Sequence, residues 1–120
     1  MGCPVVHFEI GGRDSAKLSA FYAKLFDWKV DAYGPAQMIN TGNPVGIQGH
    51  INALGHEPHT YSLIYVMVND IPAYIKKAEA AGATMIVPET EVPGTGHFAW
   101  LKDPEGNLFG LWKAMGEKPC

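Results

Sequence analysis

The sequence predicts an α+β fold made of two tandem copies of one strand–helix–three-strand unit, a βαβββ module. Three observations carry that expectation. Residues 5–10, the pair Arg13-Asp14 and the amphipathic stretch 15–26 recur as residues 63–68, Asn69-Asp70 and 71–81. A repeat at this scale means two copies of one supersecondary unit, neither able to bury its apolar face alone. Within each copy the apolar spacing changes from strand-like to helix-like, and turn signals cut the remainder into short strands.

The elements follow in order. Residues 5–10 are β-branched and aromatic and read as a strand buried on at least one face. Asp14 or Ser15 caps the next helix, since either oxygen accepts the unpaired amides of its first turn. Leu18, Phe21, Tyr22 and Leu25 follow the i, i+3, i+4, i+7 rule and predict an apolar stripe against a sheet. Asp27-Trp28-Lys29-Val30 starts the return strand, and Gly34-Pro35 and Thr41-Gly42-Asn43-Pro44 are turns. They leave residues 36–40 and 45–51 as strands, and residues 55–60 form a polar connector.

The second copy opens on a strand at 61–68. Asp70 caps its helix, Pro72 is tolerated in the first turn, and Gly82 is a left-handed stop. Ile71, Tyr74, Ile75 and Ala78 form its buried stripe. Residues 84–87 return as a strand, 88–96 form a loop, and 98–102 are a strand. Residues 103–107 turn tightly into a last strand at 108–113, and the tail at 116–120 is expected to fray. The modules thus span about 5–54 and about 60–113 of one domain.

Bulk properties exclude several functions. A chain of 120 residues supports one core, and its 47% hydrophobic and 18% charged residues are those of a globular protein. The net charge of −3 comes without a polybasic stretch, so nucleic-acid partners are not expected. No apolar run reaches membrane-spanning length, so neither is a membrane. Met1-Gly2-Cys3 lacks the basic and apolar regions of a signal peptide, and Val6 stands where a myristoylation site needs Ser or Thr. Cys3 and Cys120 suggest no disulfide framework, which points to reduced thiols and the cytoplasm.

Taken together, several residues carry a family resemblance. They are His7 and Asp14, Phe21-Tyr22, Phe26-Asp27-Trp28, Ala80-Ala81-Gly82-Ala83 and Asp103-Pro104-Glu105-Gly106-Asn107, framed by residues 5–10 and Phe109-Gly110-Leu111. In order and spacing the chain resembles the vicinal oxygen chelate superfamily of glyoxalases, bleomycin-resistance proteins and extradiol dioxygenases, in a glyoxalase-related subgroup. The resemblance covers about residues 5 to 113. It implies two βαβββ modules forming a concave, cleft-bearing sheet, and a homodimer. It also implies a divalent metal held at four cleft positions. These fall on His7, on Gln48 or His50, on Leu63 and on Gly110, so two of the four cannot coordinate.

Strand alternation assigns the faces. His7 and Glu9 share one face of the first strand with Val5, opposite Val6, Phe8 and Ile10. Gln48 and His50 share a face, as do Tyr65 and Met67 with Leu63, and Gly110 and Trp112 with Leu108. Phe98 and Trp100 share a face of their own strand. Three functions fit. The first is a metal-free small-molecule binder with Gln48, Tyr65, Met67, Phe98, Trp100, Gly110 and Trp112 lining the site; aromatic walls with a few polar groups suit such a pocket. The second is an enzyme using His7 or His50 as base, poised by Glu9, on a small carbonyl substrate. The third is a lyase or dioxygenase with a displaced metal on His7, Glu9, Gln48 and His50. No cofactor is expected on the first two readings, whereas the third admits a divalent metal. On a strand, His7 and Glu9 are roughly 6–7 Å apart along the backbone, which a shared metal would have to bridge. His56 and His59 read as solvated linker residues, and His97 as the end of a flexible loop.

Overall fold

The computed structural model describes residues 2–116; the rest of the expected frayed tail, with Cys120, lies outside the described residues. Among them are eight strands and two helices. In order they are β1 (Val5–Gly11), α1 (Ser15–Phe26), β2 (Lys29–Tyr33), β3 (Ala36–Asn40), β4 (Gln48–Asn52), β5 (Tyr61–Met67), α2 (Ile71–Ala80), β6 (Thr84–Val92), β7 (Gly96–Lys102) and β8 (Leu108–Ala114). Each half is βαβββ, so the repeat in the sequence is a repeat in the fold. The chain divides into two compact units, one of them His7–Leu63 and the other built mainly from Ile64 onward.

In the first unit the strands lie in the order β2-β3-β4-β1. β1 and β4 run parallel, with His7 opposite Gln48 and Glu9 opposite His50. β2–β3 and β3–β4 are antiparallel. Ile39 and Ile51 are buried here. Asp14, and not Ser15, caps α1: its Oδ1 accepts from the Lys17 amide at 3.0 Å. The expected apolar stripe divides. Leu18 and Tyr22 are half-buried, whereas Phe21 and Leu25 are more than half exposed. Tyr22 instead stacks on Trp28, 5.7 Å between ring centroids, and Trp28 lies 5.8 Å from Phe8. Aromatic packing of this kind anchors the helix through a few large rings rather than through its whole stripe.

In the second unit the order is β5-β8-β7-β6, with β5 and β8 parallel and the other pairs antiparallel. Val68, Ile71, Ala99, Leu101 and Leu111 form its core, and Tyr74, Ile75 and Ala78 of α2 pack on it. Asp70 caps α2 through the Ala73 amide, and Gly82 takes φ 105° beyond its end. The stretch expected as a loop from Pro88 is strand to Val92. Pro88 is accommodated because β6 is the outer strand of this order and its register against β7 slips between Val87 and Thr90. His97 accordingly stands within β7, opposite Glu91 and Lys113, and not at the end of a flexible loop. Cys3 is disulfide-bonded, contrary to the reduced thiols expected. Its sulfur is also 3.3 Å from the Tyr74 hydroxyl.

Candidate functional site

Parallel pairing of β1 and β4 puts His7, Glu9, Gln48, His50 and Asn52 on one face of the first unit. Three of them join end to end. His50 Nε2 lies 3.0 Å from Glu9 Oε1, and His50 Nδ1 lies 2.7 Å from His7 Nε2. Glu9 is 1% exposed, and a carboxylate that deep needs its lone pairs satisfied. Two further donors do so: Asn52 Nδ2 donates to Glu9 Oε2 at 3.2 Å, and the Tyr61 hydroxyl donates to the same oxygen. Gly11 makes room for this, because a Cβ there would fall within the Tyr61 ring.

The result is a chain of carboxylate, His50 and His7. Burial lowers the His7 pKa from 6.5 to about 4, reinforced by the neighbouring His50 and partly opposed by Glu9. His7 is therefore neutral at neutral pH. A neutral imidazole is a good hydrogen-bonding group, but one with so low a pKa is a weak base.

Gln48, the register partner of His7, is turned elsewhere. Its Oε1 accepts from the Thr41 amide at 2.6 Å, and its Nε2 donates to Thr41 Oγ1 at 3.1 Å. Of the two alternatives left by the sequence, His50 is the one that meets His7. Asn52 and Tyr61 escaped sequence reasoning. Asn52 follows the same alternation as Gln48 and His50, which was the available signal; nothing local marked Tyr61.

The aromatic candidates occupy one face of the second unit in two rows. Trp100, Gly110 and Tyr65 are consecutive register partners across β7, β8 and β5, and Phe98, Trp112 and Met67 form the next row. Tyr65 and Trp100 are buried, and the Trp100 indole donates to the Tyr65 hydroxyl at 2.8 Å. Phe98, Met67 and Trp112 are half-buried. His56 and His59 stay in the connector, with His59 Nε2 3.6 Å from Glu57.

The divalent metal implied by the resemblance does not fit these residues. Leu63 is a buried aliphatic side chain. At Gly110 even a Cβ would collide with the Tyr65 ring, so no carboxylate can be carried there without displacing it. Gln48 spends its amide on Thr41. Among the described residues, no group of three or more His, Cys, Asp or Glu side chains is arranged to hold a metal ion. The displaced set on His7, Glu9, Gln48 and His50 fails for the same reason: the two histidines and Glu9 point at one another, and Gln48 points away.

Fold and site together define a protein of two βαβββ modules with a polar sheet face. Residues 5–111 match the Glyoxalase/Bleomycin resistance protein/Dioxygenase superfamily, and the chain belongs to that family. It is 40% identical over 50 residues to proteins named glyoxylase CFP32 from Mycobacterium bovis and Mycobacterium tuberculosis. That match takes in 42% of this chain and only 19% of those relatives. Among solved structures, hypothetical protein BH1468 from Bacillus halodurans aligns with a TM-score of 0.69 at 13% identity, over 98% of each chain. The Mn(II)-bound glyoxalase from Novosphingobium aromaticivorans aligns at 0.60 and 18% identity, over 97% of this chain and 40% of that one. At such identities the likeness is one of fold.

Proposed function

We propose that this chain is a metal-independent small-molecule-binding protein of the superfamily, with its ligand recognised on the polar face around His7 and His50. The observation that carries the reading is the Glu9–His50–His7 chain, which ties up the groups a metal would need and presents a neutral imidazole. The second unit, taken by itself, carries a ring-lined face of the kind that suits an aromatic or otherwise planar compound. The relatives' names and the family's common use of divalent metals do not alter this, because Leu63 and Gly110 offer no donors.

A second reading, acid–base catalysis on a small carbonyl compound, is favoured by one feature: a buried carboxylate orienting His50, which in turn orients His7. A homodimer and a cytoplasmic location complete the proposal. Among the described residues no helix is long and apolar enough to cross a membrane.

The test is a calorimetric screen of small carbonyl and aromatic compounds against metal-stripped protein, repeated with His7→Ala. A binder should appear without metal, and His7→Ala should weaken it roughly fivefold, the worth of one neutral hydrogen bond of about 1 kcal/mol. Binding that requires added divalent metal, or that ignores the substitution, overturns the reading. Turnover that disappears in His7→Ala selects the catalytic alternative.

A further inference from the structure

We propose that β2 is the surface through which two copies of this chain pair, edge to edge and antiparallel about Val30. The inference rests on the homodimer in the proposed function and names its contact.

Among the described residues β2 is the outer strand of the first unit, bonded to β3 on one side. Tyr33 and Ala36 are register partners flanking the two-residue turn Gly34-Pro35, with Gly34 at φ 60°. The pair closing such a turn exchanges its backbone hydrogen bonds, and bonded and non-bonded pairs alternate from there. Tyr33, Asp31 and Lys29 therefore direct their N–H and C=O groups toward β3. Val30 and Ala32 direct theirs outward, where a further strand can meet them.

Charge selects the occupant and the register. Lys29 and Asp31 are exposed and share one face of the strand, with the half-buried Val30 on the other. Among the described residues neither takes part in an ion pair. A two-fold axis at Val30 sets Lys29 opposite the partner's Asp31, and Asp31 opposite the partner's Lys29. Both are non-hydrogen-bonded pairs of the new ladder, where facing side chains lie closest and opposite charges attract most. Val30 meanwhile gives its outward N–H and C=O to the partner's Val30. Moving the axis to Asp31 sets two carboxylates face to face, and moving it to Lys29 sets two ammonium groups so, which rejects both neighbouring registers. The strand is thus complementary to itself.

Apolar surface lies beside this edge. Phe26 is 53% exposed, and its ring lies 5.2 Å from that of Trp28, the residue ahead of β2. Leu25 is likewise more than half exposed. Five residues of strand alone cover far less than the roughly 800 Å² per partner of a stable interface. Leu25 and Phe26 add to it, because α1 lies against β2. Asp31 also shares a register row with Met38, His50 and Glu9. An axis perpendicular to the sheet therefore sets the polar faces of both copies on one side, as a continuous surface.

Sedimentation equilibrium of the full-length protein tests this with Lys29→Asp and Asp31→Lys. The wild type should be a dimer. Either substitution sets like charges against each other in both symmetric contacts, and should raise the dimer dissociation constant about tenfold or more. An equimolar mixture of the two variants should regain the wild-type constant, since each then meets the opposite charge on the other. The double variant carrying both substitutions should also dimerise like the wild type, and decides the matter if a single variant fails to fold. A dimer that ignores both substitutions overturns this interface while leaving the homodimer standing. Weakening without recovery, in the mixture or in the double variant, overturns the register. A monomeric wild type overturns the homodimer and this proposal together.

Discussion

Glu9 and His50 face each other across the parallel β1–β4 pair, and their side chains meet at 3.0 Å. Neither residue's neighbours in sequence foretell the meeting; it exists because the two strands pair in this register and no other. A one-residue slip would turn His50 to the opposite face and leave a carboxylate that is 1% exposed without its imidazole.

Acid should destabilise the protein through His7. Its folded pKa is about 4 against 6.5 unperturbed, with burial the main cause. Between those values the unfolded chain binds more protons than the native one, so stability falls as pH is lowered from about 6.5 to about 4. Below that window both states are protonated and this contribution stops changing. Urea midpoints measured across the range should decline, and His7→Gln should flatten the decline. A midpoint profile identical in wild type and His7→Gln would show that His7 is not its source.

Restoring a carboxylate at the vacant ligand position should not rebuild a metal site. Gly110→Glu forces a side chain into the Tyr65 ring, whose hydroxyl is held by Trp100. Overpacking of this kind costs roughly 1–3 kcal/mol. Thermal unfolding should show a lower midpoint, and titration with Mn(II) should show no gain in affinity. Tight manganese binding by Gly110→Glu would mean that Tyr65 yields easily.

Gln48 should behave as a loop anchor. Its two hydrogen bonds to Thr41 close the turn that leads into β4. Gln48→Ala should lower global stability by only about 1 kcal/mol, yet speed amide exchange selectively over residues 41–47. Unchanged exchange there, with lost ligand affinity, would return Gln48 to the binding face.

Glu9→Ala should be the costliest change on this face. It leaves the Tyr61 hydroxyl, the Asn52 amide and His50 Nε2 around an empty, buried position. Leaving buried donors unsatisfied costs about 1–3 kcal/mol each. Denaturant unfolding should register that loss; a change below about 1 kcal/mol would show that water enters and substitutes for the carboxylate.

The sequence by itself determined the two βαβββ modules, the cap of the second helix at Asp70 and the face shared by His7 and Glu9, and narrowed the first cap to Asp14 or Ser15, because these depend on short-range periodicity and capping chemistry. It also marked Leu63 and Gly110 as positions without donors. Two local expectations failed where an outside partner decides the outcome. Pro88 reads as a strand breaker, but an outer strand with a register slip tolerates it. Phe21 and Leu25 read as buried, but helical spacing says only that residues share a side, not that something covers it. Tertiary structure alone chose His50 over Gln48 as the partner of His7, and brought in Tyr61 from beyond the connector. A hydrogen bond between residues far apart in sequence leaves no local pattern, since its only requirement is that pairing strands carry donor and acceptor to the same depth on the same face.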